Sequence, residues 1–193
     1  MSRVVIIEGH PDVRENRFGH ALAAAYARGA VEGGHEVRRI EVSRIDFPLL
    51  RTKDDWENAA APTSMRAAQA DIAWAEHLGI LFPLWLGSMP GLLKAFLEQV
   101  LRPGFAMKLE SGGSWTKLLT GKSARIVVTM GMPAFIYRWY FRAHSLKSLK
   151  RSVLRFVGVT PISETLIGSI ETCGDARRRK WLQRLYHLGR AAK

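Results

Sequence analysis

Three short runs of nearly uninterrupted apolar residues, each closed by glycine or proline and followed by a stretch of helical periodicity, constrain this chain most. Residues 3–9 read Arg-Val-Val-Ile-Ile-Glu-Gly, 78–84 read Leu-Gly-Ile-Leu-Phe-Pro-Leu, and 124–130 read Ala-Arg-Ile-Val-Val-Thr-Met, with Gly131 next. A strand covered by helices on both faces reads this way, because both of its side-chain rows are buried. Between the runs, 18–34 carries Leu22, Ala25, Tyr26 and Val31 at helical spacing and stops at Gly33-Gly34, while Pro90 opens a helix over 91–101. Weaker signals add strands at 36–42 and 165–170 and helices at 65–76, 143–157 and 175–190, with 46–64 and 102–122 left irregular. Strands alternating with helices at this spacing predict an α/β fold: one open parallel sheet with helices on both faces, built by 1–193 as a single domain.

Composition narrows the class further. With 193 residues, 47% hydrophobic and 24% charged, the chain can bury a sizeable core without disulfide staples. The single cysteine, Cys173, has no partner for an internal disulfide, which fits a reducing compartment and a cytoplasmic protein. The apolar run 4–7 turns polar at Glu8, too early for a secretory leader, and no run approaches the roughly 20 residues that cross a bilayer. His20, His35, His77 and His187 have no metal-ligand spacing, and no G-x-S-x-G elbow supports hydrolase chemistry.

In open parallel sheets ligands bind beyond the carboxyl ends of the strands, where the strand order reverses. Three segments therefore carry the expected chemistry: 9–19, 83–91 and 129–137. The first, Gly-His-Pro-Asp-Val-Arg-Glu-Asn-Arg over 9–17, leads a strand into a helix N-terminus, whose free N–H groups and dipole favour phosphate. It is neither G-x-G-x-x-G nor a Walker A loop, which removes the main support for ordinary dinucleotide binding and for NTP hydrolysis. The second, Pro-Leu-Trp-Leu-Gly-Ser-Met-Pro-Gly over 83–91, offers an apolar surface and close backbone approach suited to the edge of a planar heterocycle. The third ends a strand at Gly131 and is followed by Phe135, Tyr137, Trp139, Tyr140 and Phe141, which suit a core or a dimer interface.

Together these segments resemble the flavodoxin-like NAD(P)H quinone oxidoreductases, in particular the putative NADPH quinone reductases of the modulator of drug activity B type. The likeness rests on Gly9-His10-Pro11, Phe82-Pro83-Leu84-Trp85, Pro90-Gly91-Leu92-Leu93-Lys94, Gly104-Phe105-Ala106, and Thr129-Met130-Gly131 with Tyr137, and covers about 3–171. It implies a flavodoxin-like five-stranded sheet of order 2-1-3-4-5 holding FMN or FAD noncovalently. It implies His10, Asn16, Arg17 and Phe18 around the flavin phosphate, Pro83, Leu84, Trp85 and Leu86 along the ring, and Thr129, Gly131 and Tyr137 at its polar edge. NAD(P)H would then reduce the flavin and a quinone-like molecule reoxidise it, with Tyr137 and His144 as hydrogen-bond donors to the reduced ring. Where relatives often carry Ser and, three residues on, Asn in the phosphate loop, this chain has Asn16 and Gly19, so Arg14 and Arg17 are expected to compensate by charge. The family also implies a homodimer.

Charge supplies the competing reading. Residues 1–137 hold 16 Lys and Arg against 14 Asp and Glu, whereas 138–193 hold 13 against 3. The stretch 138–155 alternates six basic residues with aromatic and aliphatic ones and contains no acid, so it reads as a basic amphipathic segment. It suits a flavin-binding ancillary subunit that contacts an anionic membrane or a membrane transporter, or simply a solvated face. No helix-turn-helix, zinc or RNA-reading signature supports nucleic-acid binding.

Overall fold

The computed structural model describes residues 1–14 and 16–192. In chain order the elements are β1 (Arg3–Glu8), α1 (Phe18–Glu32), β2 (Glu36–Glu41), α2 (Lys53–Glu57), α3 (Thr63–Trp74), β3 (His77–Pro83) and α4 (Gly91–Val100). They continue with β4 (Met107–Leu109), β5 (Trp115–Lys117), β6 (Ser123–Thr129), α5 (Ala134–Trp139), α6 (His144–Ser148), α7 (Arg155–Val157), β7 (Ile162–Ile167) and α8 (Asp175–Arg190). A π-helical turn, Leu149–Leu154, joins α6 to α7.

Five strands form one parallel sheet in the order β2-β1-β3-β6-β7, while β4 and β5 pair as a separate antiparallel hairpin. Counting only the strands of the main sheet, this is the expected order 2-1-3-4-5. The three apolar runs are its three central strands, and every residue of β3 is buried. On one face Met65, Ile72, Leu93, Phe96, Leu149 and Leu154 pack on the sheet; on the other Leu22, Tyr26 and Leu185 do so from α1 and α8. Burying a large aliphatic side chain is worth about 1.5–3 kcal/mol, so these two layers supply the main driving force.

The structure corrects the sequence-based expectations at five places. The last strand runs over Ile162–Ile167 and not over 165–170, and beyond it Gly168 lies so close to the Ala134 backbone that a side chain there would overlap it. Within 46–64 a short helix forms on a capping box, in which the Thr52 hydroxyl accepts from Asp55 N–H at 3.0 Å and the Asp55 carboxylate accepts from Thr52 N–H at 3.2 Å. Within 102–122 the β4–β5 hairpin forms, and Pro133 starts the short helix α5 where a loop was expected. Leu146, Leu149, Leu154 and Val157 of the basic segment and its end are buried in the core, so these side chains are spent on the sheet, while Phe156 stays exposed. Among the described residues no helix is long and apolar enough to cross a membrane.

Helices α1 and α8 meet through glycine. A Cβ at Gly29 would overlap the Tyr186 carbonyl, and one at Gly189 would overlap the Tyr26 carbonyl. Gly29→Ala gains about 1 kcal/mol of helix propensity but forces the two backbones apart, which typically costs about 1–3 kcal/mol. The expected net result is a lower urea midpoint at unchanged slope; a raised midpoint would show that this crossing is loose.

Candidate active site

The order of strands reverses on either side of β1: the chain passes from β1 to β2 on one side and then returns to place β3 on the other. The carboxyl ends of β1 and β3 thus open a crevice, the usual ligand position in such sheets. Between them, Glu8, His10, Gly19, His20, Leu81, Pro83 and Thr129 enclose a cavity of about 10 Å³. That volume holds about one water molecule, so it is the floor of the site and anything larger lies above it.

Two loops over this floor are stitched together. Pro83 pairs with Thr129 in the sheet register, and just beyond it Leu84 N–H donates to the Thr129 carbonyl at 2.7 Å. Trp85 and Ser88 then exchange two backbone hydrogen bonds of 2.8 and 2.9 Å around Leu86 and Gly87, both at positive φ (46° and 77°). This is the two-residue hairpin geometry that requires left-handed backbone at both central positions. Leu86 is consequently thrown fully into solvent, and Trp85 stands half exposed with its ring 6.2 Å from His10, edge to face. Gly131 is exposed beside Glu171, and Thr129 is buried.

The loop after β1 is organised by charge. Glu8, buried at the end of β1, accepts from Arg39 at 2.8 Å and from His20 Nδ1 at 3.0 Å, while His20 Nε2 donates to the Asp12 carbonyl at 2.8 Å. An ionised carboxylate and a carbonyl can only accept, so these two contacts favour the ring of His20 with a proton on both nitrogens. Burial works against that charge, but the hydrogen bonds to Glu8 and Asp12 and the Glu8 charge outweigh it and raise the pKa of His20. His10, with ring centroids 5.2 Å from His20, behaves oppositely: burial, then the nearby His20 charge, lowers its pKa. Its Nδ1 accepts from Asp12 N–H at 3.0 Å, which leaves Nε2 as the remaining N–H, without a partner among the described residues. Two imidazoles whose surroundings push their pKa values in opposite directions therefore sit side by side under one loop.

Arg14 and Arg17 both close on Asp12, at 2.7 and 2.6 Å, and hydrogen bonds first from Arg14 and then from Arg17 hold its carboxyl well below the usual carboxylate range. The two arginines expected to add charge for a phosphate are thus already partly neutralised. The helix they precede is open, however. Arg17, its N-cap, makes no side-chain cap bond, the first turn of α1 contains no acidic residue, and Gly19 has only His10 within 4 Å of where a Cβ would be. First-turn N–H groups that no described side chain caps and the dipole of a 15-residue helix fit a phosphate. Asn16 is exposed beside this turn and Phe18 is half-buried at its start.

The structure does not bring Tyr137 and His144 to this crevice as a donor pair. Tyr137 is 1% exposed; its hydroxyl hydrogen-bonds Ser145 Oγ at 2.6 Å and accepts from Leu146 N–H at 3.3 Å, so it ties α5 to α6. His144 is exposed at the start of α6, after two residues of positive φ, Arg142 and Ala143. Neither lines the strand-end cavity. Glu8, Asp12, His20 and Arg39 were missed as a group, although a glutamate closing a run of four buried aliphatics marks a charge that must find partners.

These features define a flavodoxin-like α/β protein with an uncapped helix N-terminus and a half-exposed aromatic loop at the strand ends. The model of the family with the flavodoxin-like fold matches residues 2–186, and the chain belongs to that family. It is 26% identical to an uncharacterised NAD(P)H oxidoreductase of Haemophilus influenzae over 93% of this chain and 90% of the relative. It is 30% identical to the FMN-dependent NAD(P)H:quinone oxidoreductase 1 of Pseudomonas aeruginosa over 70% of this chain and 71% of the relative. Its fold superposes on the NAD(P)H:quinone oxidoreductase of Methanothermobacter marburgensis with a TM-score of 0.85, 22% identity, and coverage of 100% and 99% of the two chains.

Two measurements test the site as described. By NMR titration, the His20 ring signals should move at a pH above 6.5 and those of His10 below it. Glu8→Gln should bring the His20 midpoint down; an unmoved midpoint would remove Glu8 as its anchor. Tyr137→Phe strands the Leu146 N–H and costs about 1–2 kcal/mol of stability by chemical denaturation. A variant as stable as the parent would mean that the hydroxyl links nothing.

Proposed function

We propose that the protein is an FMN-dependent NAD(P)H oxidoreductase that passes hydride to quinones or similar flat acceptors. The observation that carries this reading is the pairing, at one strand-order reversal, of an uncapped helix N-terminus with a stitched aromatic rim. One end suits a phosphate and the other suits a planar ring. The choice of FMN over FAD is supported by the Pseudomonas relative, whose description names FMN, and by an FMN-dependent NADH-azoreductase of Bacillus anthracis in complex with FMN, whose fold superposes with a TM-score of 0.73 over 100% of this chain and 97% of that one at 18% identity.

Bound flavin supplies the redox chemistry, and the protein supplies binding, orientation and charge. The first N–H groups of α1 would receive the phosphate, with Arg17, Asn16 and Phe18 around it and His10 Nε2–H available as a further donor. Pro83, Leu84, Trp85 and Leu86 would flank the ring, held in place by the Leu84–Thr129 hydrogen bond. Thr129 and Gly131 would meet its polar edge, where Gly131 allows close backbone approach. His20 sits behind this loop, where Glu8 holds it and its protonated ring would favour an anion. Tyr137, which ties α5 to α6 through Ser145, and His144 at the exposed start of α6 are given no donor role in this reading.

Phe135, Tyr140 and Phe141 form an exposed aromatic group on α5 and just beyond it. Surfaces of this kind mark interaction sites, and a second copy of the chain is the occupant this reading assigns.

Purified protein should be yellow and release FMN on denaturation, and anaerobic mixing with NADH or NADPH should bleach the flavin band until a quinone restores it. Light scattering on the same sample should give the mass of two chains. Trp85→Ala should weaken flavin binding roughly fivefold, as expected for one half-exposed aromatic contact. Colourless protein that takes up no added FMN would overturn the assignment, and unchanged affinity in the variant would remove Trp85 from the rim.

A further inference from the structure

A second concavity lies outside the crevice and shares no lining residue with it. It has a volume of about 690 Å³, within the range of small-molecule sites. It is lined by Arg138, Arg142, Lys147, Lys150, Arg151 and Arg155. A single carboxylate faces them: Glu164 on the edge strand β7 accepts from Arg138 at 2.8 Å and from Lys150 at 2.7 Å. That leaves Arg142, Lys147, Arg151 and Arg155, which form no ion pair with any described residue.

Folding does not account for this arrangement. Lys147, Arg151 and Arg155 follow one another at intervals of four along the segment from α6 to α7, where like charges repel. The segment from His144 to Val157 contains no acidic residue to relieve them. Its apolar side chains already hold it to the sheet without help from the cations. Arg142 reaches the cleft from a backbone of positive φ (51°), followed by Ala143 at 48°. Strain of this kind in non-glycine residues costs free energy and concentrates at ligand clamps. Trp139, 79% exposed, lies among the same lining residues and offers an aromatic face beside the cations.

We propose that this cleft binds a nucleoside di- or triphosphate, with the base on Trp139 and the phosphates on Arg142, Lys147, Arg151 and Arg155. A polyphosphate is the ligand chemistry that four unpaired cations at close spacing neutralise, and guanidinium groups match phosphate oxygens bidentately. An indole face takes any base without regard to its identity. The concave form favours one small molecule over the long backbone of a nucleic acid.

The test is calorimetric titration of the protein, saturated with FMN so that the crevice is filled, with ATP, inorganic pyrophosphate, adenosine and a short DNA duplex. ATP should bind saturably at one site per chain, more tightly than pyrophosphate or adenosine. Trp139→Ala should weaken ATP while leaving pyrophosphate unchanged. The double variant K147E/R151E should weaken ATP by at least about tenfold, the loss expected when charge-assisted hydrogen bonds are removed. Its circular dichroism and NADH-dependent flavin reduction should match the parent's. Absence of saturable ATP binding at low ionic strength, ATP affinity unaltered by K147E/R151E, or tight binding of the duplex alone would each overturn the proposal. None of these outcomes depends on turnover, so a failure here is distinguishable from a failure of the proposed oxidoreductase activity.

Discussion

The structure depends on the position of β3. Buried along its whole length between β1 and β6, it hydrogen-bonds to both in parallel register, and its last residue sets where two loops leave the sheet. Proline at position 83 ends the ladder because it has no N–H to give, and Leu84 supplies the next donor, directed to Thr129. The rim of the crevice is thus an extension of the sheet and inherits its rigidity. A flat ligand placed there meets a surface whose shape was set by burying apolar strands, which is the least negotiable part of the fold.

The opposite wall of the crevice is ordered by charge and not by packing. Glu8 is the terminal residue of a strand buried on both faces, and an isolated carboxylate in that position would be costly. Arg39 from the neighbouring strand and His20 from α1 offset that cost from two directions. The second nitrogen of His20 then fixes the Asp12 carbonyl, Asp12 gathers Arg14 and Arg17, and its N–H fixes His10. One buried carboxylate thus anchors the contacts that order His10, Asp12, Arg14 and Arg17 ahead of α1. Because the chain of contacts ends at an uncapped helix terminus, the order it creates is delivered where an anion would sit.

Much of this was legible in the sequence, for physical reasons that differ by element. The central strands were readable because burial on both faces leaves no room for polar residues, and helices α1 and α4 because their apolar spacing and their flanking glycine and proline agreed. The edge strand β7 was displaced by three residues because only one of its rows is buried and its pattern is correspondingly weak. The Thr52–Asp55 capping box and Pro133 were visible signals for α2 and α5, but helices of five and six residues carry too little periodicity to register otherwise. For the crevice, the loops were legible from their glycines and prolines, whereas the roles of individual side chains were not. Tyr137 follows a strand end in sequence, yet the turn of α5 rotates it into the core, and only three-dimensional packing decides that.

The basic third of the chain shows why charge and amphipathicity must be separated. Read from the sequence, 138–155 suits a membrane surface because it alternates cations with apolar side chains. In the structure those two sets have different fates: Leu146, Leu149 and Leu154 close the core, and the cations are gathered on the other side into a concavity. An amphipathic helix enters a lipid interface through its apolar face, and here the leucines of that face are occupied by the core. What remains is a concentration of positive charge with a defined shape, opposed by one glutamate. A solvated face has no reason to be concave or to place a tryptophan beside its unpaired arginines and lysines. The shape, more than the charge, is what argues for a ligand.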